Sequence, residues 1–309
     1  MKLVFFGTSE FALPTLHALH ESVHEIIAVV TVPDRRSGRG LQYTPSPVKN
    51  NAIKLAYPIY QPSDLSDPNF LSIMRQLSAD IYIVIAFRII PKLVFSIPRE
   101  GAINVHASLL PKYRGAAPIH HAILNGEDET GVTTFRIQKK VDTGDILLQE
   151  HYKLNKNITT GEAHDSLASI GAKMIITTLK QLTADKLHIL QQNHEIATLA
   201  PKISSKDGLI DWNKSSKVIH NKIRAFTPYP GAFTYFKKKR VKLFKARVKK
   251  HTHSSTLQPG EIQYVNRALE VGTGDGIICI HKIQQQGKKI LPVSQFVSGF
   301  PEIVGNIFE

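Results

Sequence analysis

The sequence predicts an α/β protein in two parts: a Rossmann-like, mostly parallel sheet, followed by a small β-barrel of the OB-like kind. In the first half, short apolar runs alternate with stretches of helical periodicity, which is typical of a parallel sheet with crossover helices. The second half changes to short β-like runs separated by turn residues, as in a small barrel. The length of 309 residues allows two domains. We predict an α/β domain over residues 1–185, a linker over 186–205 and a β domain over 206–309.

Apolar runs define the strands of the first half. They are predicted as buried strands because a parallel sheet is covered on both faces. The runs lie at residues 3–6, 26–32, 81–86 and 103–106, and later strands are predicted at 131–137 and 146–152.

Helical spacing of apolar residues fills the stretches between these strands. The predicted helices cover residues 11–20, 47–56, 69–78 and 116–124, the last of them ended by Asn125-Gly126. Pro47 suits a first helical turn, where its missing N–H costs nothing. The longest predicted helix opens at Thr159-Thr160, with Glu162 near a capping-box position, and runs to about residue 181.

The β domain is predicted from runs bounded by turn residues. One helix, residues 215–225, precedes them. The predicted strands lie at residues 232–236, 241–248, 261–264, 269–272 and 277–283.

Composition places the chain among soluble globular proteins, with 42% hydrophobic and 21% charged residues. The single cysteine, Cys279, leaves no internal disulfide and no multi-cysteine metal site, which fits a reducing compartment. The N-terminus lacks a signal-type apolar core, and no apolar segment approaches the ~20 residues that span a bilayer. We expect a cytoplasmic protein, monomeric, with no membrane association.

Positive charge is concentrated in one segment. The chain carries 39 basic and 25 acidic residues, a net charge of +14. From Lys206 to Lys250 there are 14 lysines and arginines against Asp207 and Asp211, a net charge of +12. Such a field favours a polyanion such as a phosphate backbone, although lysines can also serve only to keep a surface soluble.

An amide, an imidazole and a carboxylate form the most informative group. Asn104 and His106 stand two residues apart at the end of a predicted strand, so both side chains point to the same face. Asp142, in a Thr-Gly turn between strands, is the candidate carboxylate; it would favour the protonated imidazole. These groups can move a carbonyl group onto a nucleophile without a metal or a covalent intermediate. Asp-Thr-Gly is, however, also an ordinary turn sequence.

Two basic segments are candidate nucleic-acid contacts. Arg35, Arg36 and Arg39 lie on a glycine-containing loop after the second strand, which suits phosphate contact or base stacking. Residues Lys237, Lys238, Lys239 and Arg240 lie between two predicted strands and are expected at a hairpin turn. Charges in loops and turns are often only solvated, and that alternative stays open for both segments.

The dinucleotide fingerprint is missing from the first strand–helix junction. Gly7 follows the strand, but no G-x-G-x-x-G succeeds it, which argues against a nicotinamide enzyme. Gly7 provides either a tight turn near a ligand or a plain turn.

Along nearly its full length the chain resembles the methionyl-tRNA formyltransferases. The most specific match runs from Asn104-Val105-His106 through Ser108-Leu109-Leu110-Pro111 to residues 113–119. Matching segments also include residues 6–8, 45–49, 129–133, 142–145, 210–212 and 223–226. The resemblance implies the formyltransferase fold, with a catalytic domain that binds 10-formyltetrahydrofolate and a basic β domain that binds tRNA.

The resemblance also implies the reaction. Formyl would pass from 10-formyltetrahydrofolate to the α-amino group of methionyl-initiator tRNA. Asn104 and protonated His106 match the residues that hold the oxyanion, and Asp142 matches the carboxylate that supports His106 and the proton transfer. No metal is implied.

Binding residues follow from the same resemblance. The folate-contacting segment corresponds to Ser108, Leu109, Leu110 and Pro111, and the pterin pocket is bordered by Phe87, Arg88 and Ile89. Residues 86–91 depart from the usual Ala-Tyr-Gly pattern and are one residue shorter. The arginine loop would approach the acceptor end of the tRNA, and Lys237, Lys238, Lys239 and Arg240 would bind its backbone.

Three alternatives stay open at this point. Glycinamide-ribonucleotide formyltransferases share the catalytic residues but normally lack the basic second domain. A sugar-amine formyltransferase would share the first domain, yet it would not need a segment with a net charge of +12. A non-catalytic RNA-binding module would explain the charge but not the amide, imidazole and carboxylate.

Overall fold

A computed structural model describes residues 1–37, 42–249 and 257–309 of the chain. The chain forms two compact units, each assembled from separate stretches of sequence. The first comprises Met1–Gly115, Thr130–Lys153 and His164–Leu199, and the second comprises Ala116–Glu129, Leu154–Ala163 and Ala200–Glu309. The division expected at residues 185 and 206 follows sequence order and stays a prediction.

Strands of the first unit are, in chain order, β1 (Lys2–Gly7), β2 (Glu25–Val30), β3 (Arg35–Ser37), β4 (Gln42–Thr44), β5 (Ile59–Tyr60), β6 (Ile81–Ile85), β7 (Ala102–His106), β8 (Glu129–Arg136) and β9 (Ile146–Lys153). Seven of them form one sheet in the order β5-β2-β1-β6-β7-β8-β9. Pairing is parallel from β5 to β7, and β8 runs antiparallel to β7. The prediction of a mostly parallel, Rossmann-like sheet is confirmed.

The helices of the chain are α1 (Leu13–His20), α2 (Pro47–Lys54), α3 (Pro68–Gln76), α4 (Lys92–Phe95), α5 (Pro118–Leu124), α6 (Thr160–Thr183), α7 (Ser216–Ala225) and α8 (Val293–Gly299). Capping explains where two of them begin. The Ser46 side chain accepts from the Lys49 N–H, with Pro47 in the first turn as expected, and Asp67 accepts from the Phe70 N–H. Described residues include no helix long and apolar enough to cross a membrane.

The core of the first unit explains why the apolar runs become central strands. Val4, Phe6, Val30, Tyr82 and Val84 are buried together in one cluster. Because β1 and β6 have neighbours on both sides and side chains buried on both faces, they show continuous apolar runs rather than alternation.

The arginine-containing segment after β2 begins with strand structure rather than a plain loop. Strands β3 and β4 pair antiparallel, with Arg35 opposite Thr44. Three-residue strands rich in charged and polar residues show no apolar alternation, so nothing in the sequence predicted them. The two-residue strand β5 and the short helix α4 were missed for the same lack of periodicity.

The second unit contains an antiparallel sheet, which confirms the predicted OB-like β domain. Its strands are β10 (Ala232–Phe236), β11 (Lys239–Val248), β12 (Ile262–Val265), β13 (Ala268–Gly272), β14 (Ile277–Gln285) and β15 (Leu291–Pro292). The order is β10-β11-β14-β13-β12, and β15 pairs with β14. A two-residue turn, Lys237 and Lys238 with φ of 48° and 61°, joins β10 to β11, which confirms the predicted hairpin. Lys239 and Arg240 were also expected at the turn, but they pair with β10 as the first residues of β11.

Candidate active site

Two site residues come from the carboxyl end of β7. Asn104 is half-buried and His106 is 7% exposed. Strands β6 and β8 flank β7, so its end lies within the sheet rather than at an edge. In open α/β sheets, ligands bind outside the carboxyl ends of parallel strands, which is where His106 stands.

Both nitrogens of His106 face acceptors. Nε2 lies 2.9 Å from the carbonyl oxygen of Tyr113, so Nε2 carries the proton and donates to it. Nδ1 lies 3.7 Å from Oδ2 of Asp142, which is an ion-pair distance but too long for a hydrogen bond. The Phe135 ring lies perpendicular to the imidazole, with the ring centroids 6.4 Å apart. The imidazole is therefore anchored through Nε2, while Nδ1 faces the carboxylate.

Asp142 is at once a turn residue and the carboxylate beside His106. Its φ of 53° is the left-handed conformation that aspartate tolerates in turns. Its Oδ2 accepts from the Gly115 N–H at 2.8 Å. The nearby Gly144 has no room for a Cβ, which would overlap the Arg136 carbonyl oxygen. A turn of fixed shape thus sets the position of the carboxylate.

Sequence reasoning missed a polar chain that supports this turn. The Gln192 amide donates to the carbonyl oxygens of Asp142 and Gly144 at 3.0 and 2.7 Å. The buried Arg114 donates to Gln192 Oε1 from Nε at 3.1 Å and from Nη2 at 2.5 Å, and Nη2 lies 2.9 Å from His194 Nδ1. Burial lowers the pKa of Arg114, and the charge of Asp142 opposes that shift.

No sequence signal pointed to Gln192. It lies in a segment predicted as a linker because that segment lacks periodicity, and only the fold brings it to the site. Arg114 belongs to the matched segment that follows Pro111, but nothing in that segment predicts Gln192 as its hydrogen-bond partner.

A small cavity brings Asn104 and Asp142 together with the segment after β6. Its volume is about 100 Å³, and its walls include Phe87, Arg88 and Ile89. Three of the residues expected to border the folate site therefore line the same cavity as two of the expected catalytic residues. His106 is not among the residues that line it.

Arg88 is held by the segment that follows β5. It donates to the carbonyl oxygens of Pro62 and Ser63 at 2.5 and 2.7 Å. Burial lowers its pKa, while the charge of Asp64 opposes the shift. Phe87 packs edge-on against Phe6 with ring centroids 5.6 Å apart.

Ser108 to Pro111 is fixed through its backbone and buried side chains. Ser108 is fully buried, and its hydroxyl donates to the Lys112 carbonyl at 2.6 Å. The Thr133 hydroxyl donates to the Ser108 carbonyl at 2.7 Å and accepts from the Leu110 N–H at 3.1 Å. The Leu110–Pro111 peptide bond is cis. The hydroxyl of Ser108 is thus committed to the segment itself.

The predicted nucleic-acid residues fall into separate places. Arg35 lines a cavity of about 520 Å³ with Thr8, Ser9 and His164, in the first unit. Arg36 belongs to β3. Arg39 lies outside the described residues.

The basic hairpin is not uniform. Lys237, Lys238 and Lys239 are exposed. Arg240 instead stacks on Phe233, with its guanidinium carbon 3.6 Å from the ring centroid. Two of its nitrogens, Nε and Nη2, are buried without a hydrogen-bond partner among the described residues.

Potential metal ligands do not converge in the described part of the chain. In residues 1–37, 42–249 and 257–309, no group of three or more His, Cys, Asp or Glu side chains could hold a metal ion.

Family models match both halves of the chain. The model of the formyl transferases matches residues 1–179, and that of the formyl transferase C-terminal domain matches residues 202–301. The methionyl-tRNA formyltransferase of Moorella thermoacetica is 42% identical over 315 aligned positions, covering 99% of each chain. That of Pelotomaculum thermopropionicum is 43% identical and covers 97% of this chain and 96% of its own.

A solved structure shares the fold. The N-formyltransferase of Helicobacter canadensis, in complex with folinic acid and dTDP-3-aminofucose, superposes with a TM-score of 0.69. The match covers 92% of this chain and 99% of that one at 21% identity. At that identity the likeness concerns the fold alone.

Proposed function

The chain belongs to the methionyl-tRNA formyltransferase family, and on that premise we propose that it transfers formyl from 10-formyltetrahydrofolate to the α-amino group of methionyl-initiator tRNA. The product would be N-formylmethionyl-tRNA for translation initiation. The observation that carries the proposal is His106, 7% exposed and 3.7 Å from Asp142, at the carboxyl end of a strand that also bears Asn104.

Oxyanion stabilisation is the role proposed for Asn104 and His106. Attack of an amine on a formyl carbon places negative charge on the formyl oxygen. The Asn104 amide lines the cavity, and within the described residues it has no side-chain hydrogen bond to give up. His106 Nε2 is committed to the Tyr113 carbonyl, so Nδ1 is the nitrogen we propose to donate. Such preorganised donors are usually the largest single contribution to acyl transfer.

Asp142 would keep His106 in its cationic form. With Nε2 donating to a carbonyl, only the imidazolium carries a second proton on Nδ1, and the carboxylate lies 3.7 Å from that nitrogen. The same carboxylate can pass a proton from the attacking amine, through water, toward the departing nitrogen. Gly115 and Gln192 would position Asp142 for this through its side chain and its backbone, respectively.

The folate donor fits the chemistry of the small cavity. Its apolar walls, among them Phe87, Ile89 and Phe135, suit a flat ring, and Asn104 and Asp142 supply polar groups. A volume of about 100 Å³ is well below the ~300 Å³ at which ligand pockets begin, so only part of a folate would lie inside. When bound, the donor supplies the activated formyl group.

The second substrate would be held by charge. The net charge of +12 from Lys206 to Lys250 suits the phosphates of tRNA, and this segment lies in the second unit. We propose Arg35, Arg36 and Arg39 for the acceptor end and the hairpin from Lys237 to Arg240 for the backbone. A cytoplasmic, monomeric enzyme is the accompanying expectation.

The experiment offers the purified chain three tRNAs together with 10-formyltetrahydrofolate. Methionyl-initiator tRNA should be formylated, methionyl-elongator tRNA much more slowly, and uncharged initiator tRNA not at all. A dTDP-linked amino sugar serves as the competing acceptor. Formylation of the sugar without formylation of methionyl-tRNA would overturn the proposal.

A further inference from the structure

A cavity in the second unit combines a cationic rim with apolar walls, and nothing in the proposed chemistry uses it. Its volume is about 470 Å³, within the roughly 300–1,000 Å³ typical of ligand pockets. Lys245, Arg247 and Lys282 line it and are exposed, while Phe244 and Ile290 contribute apolar surface.

Lys245 stands at an interruption of the sheet. Strands β11 and β14 pair on both sides of it, with Phe244 opposite Lys282 and Ala246 opposite Ile280, but Lys245 itself is unpaired in this ladder. Its φ is +45°, in the left-handed region that glycine adopts readily and a lysine does not. Glycine would adopt this backbone conformation more easily than lysine does. Because the Lys245 side chain is exposed, packing against neighbouring residues does not explain why a lysine stands at this position. Strained backbone of this kind is often found at ligand sites.

The three exposed cations have no counter-ion close by in the described part of the chain. Among the residues that the structure describes, none of them lies within 4.0 Å of a carboxylate oxygen. Glu162 lines the same cavity, but its Oε2 accepts from the N–H and the hydroxyl of Thr159, both at 2.8 Å. Unpaired cations around a concave surface concentrate positive potential there.

A buried arginine of the same cavity adds to this potential. Arg224 is 7% exposed and donates to Asn221 Oδ1 from Nε at 3.1 Å and from Nη2 at 2.9 Å. Partial burial lowers the pKa of His281, and the charges of Arg247 and Lys245 lower it further. The neighbouring lysine and arginine charges thus act on a residue of the adjacent strand.

We propose that this cavity is a phosphate-binding subsite for the tRNA backbone, with Lys245, Arg247 and Lys282 as its contacts. The proposal that the polyanion is tRNA rests on the proposed function, whereas the cationic cavity is observed independently of that function. Lys245 and Arg247 lie two residues apart on β11, roughly 6–7 Å along a strand, and Lys282 lies on the next strand. Cations spread in this way address successive groups of an extended polyanion rather than one small anion, and the apolar wall suits ribose carbons.

Matched glycine variants test the subsite. Lys245→Gly removes a rim cation at a position of positive φ. Arg267→Gly does the same at an exposed turn residue with φ +64° that does not line the cavity, so charge and backbone effects are matched. Circular dichroism and thermal melting check that both variants fold, and Lys245→Gly should melt no lower than the unaltered chain.

Binding of uncharged initiator tRNA is measured by filter retention across a salt series. Lys245→Gly should weaken binding and reduce the log–log salt slope by about 0.7–0.9, the value for one phosphate that is no longer neutralised. Adding Lys282→Ala should reduce the slope by about as much again. Arg267→Gly should leave the slope unchanged. Equal effects of the two glycine variants, or no effect of either, would overturn the subsite.

The proposed function and the subsite can fail separately. The KM for 10-formyltetrahydrofolate should be the same in all variants. A chain that formylates methionyl-tRNA but binds tRNA independently of Lys245 would sink the subsite alone. A chain that binds tRNA through Lys245 yet transfers no formyl group would sink the function and leave the subsite standing.

Discussion

The two donors proposed for the oxyanion, Asn104 and His106, give the sharpest prediction for single residues. His106→Ala and Asn104→Ala should each lower kcat by about 10²–10³, the usual cost of losing one oxyanion donor, and change the KM values far less. Steady-state kinetics with methionyl-initiator tRNA measure both. Because His106 is buried beside Phe135, His106→Gln should accompany the alanine variant. Near-normal turnover in these variants would remove His106 from the mechanism.

A substitution at Asp142 can separate its role in the shape of the turn from its electrostatic effect on His106. Asp142→Asn keeps an oxygen that can accept from the Gly115 N–H and keeps the size of the side chain, but it removes the charge 3.7 Å from His106 Nδ1. We expect kcat to fall by roughly 10² or more, in the range of general acid–base contributions, with little change in thermal stability. Full activity would mean that Asp142 only shapes the turn.

At the scale of elements, the hairpin joining β10 and β11 has two kinds of cation. Lys237, Lys238 and Lys239 are exposed, whereas Arg240 stacks on Phe233 at 3.6 Å. Replacing the three lysines by alanine should raise the KM for methionyl-tRNA and lower its salt slope by about 0.9 for each phosphate that the lysines neutralise. The KM for 10-formyltetrahydrofolate should not move.

The single variant Arg240→Ala is compared with the variant that lacks the three lysines. It should lower the melting temperature, because it removes an aromatic stacking partner as well as a charge. An unchanged salt slope in the triple-lysine variant would leave those lysines as a solvated turn.

The segment after β2 carries the prediction on substrate choice. Arg39 lies between Gly38 and Gly40, which permit close approach of the backbone to a nucleic acid. An arginine there can contact phosphates and stack on an unpaired base. Arg39→Ala should therefore lose much of the preference for initiator over elongator methionyl-tRNA, measured as the ratio of their kcat/KM values. Arg99→Ala, an exposed arginine outside this segment, is the control. If the ratio survives in Arg39→Ala, the segment does not select the tRNA.

The whole molecule should lose stability in mild acid. Burial lowers the pKa values of His24, His220 and His281. At these three residues the unfolded chain takes up protons as the pH falls through about 6.5, whereas the folded chain does so only at lower pH. The unfolded state then binds more protons, and the free energy of unfolding decreases. Urea midpoints should fall between about pH 7.5 and about pH 5.5, a window above the titration of the carboxylates.

A substitution at His220 tests whether buried histidines cause this loss of stability in acid. Its pKa is lowered by burial and by the charge of Arg224, against a hydrogen bond to the Ala246 backbone. His220→Gln should flatten the dependence of the urea midpoint on pH, whereas His188→Gln, at a position outside the core, should not. An equal pH dependence in both variants would assign the acid sensitivity to other groups.

The order of residues was enough to predict the fold class, the central strands and, as candidates, the two polar residues on β7. Continuous apolar runs such as those that became β1 and β6 can only be buried on both faces, and the spacing of Asn104 and His106 places both side chains on one face of a strand. The hairpin at Lys237 and Lys238 was likewise predicted from its place between two β-like runs, although lysine does not favour the positive φ found there. Such features need only short-range geometry, so the chain order carries them.

Contacts between groups far apart in the chain follow from the fold. The hydrogen bonds from Gln192 to the Asp142 turn join residues 50 positions apart in the chain. For Asp142 the sequence had left two interpretations open, a carboxylate beside His106 or an ordinary turn residue, and the folded chain combines both. No periodicity records such pairings, because side-chain pairing across a fold depends on how the strands end and where the connecting segments pass. The left-handed Lys245 at the interruption between β11 and β14 is of the same kind. Its positive φ coincides with the interruption of the ladder, and a lysine by itself favours no such conformation.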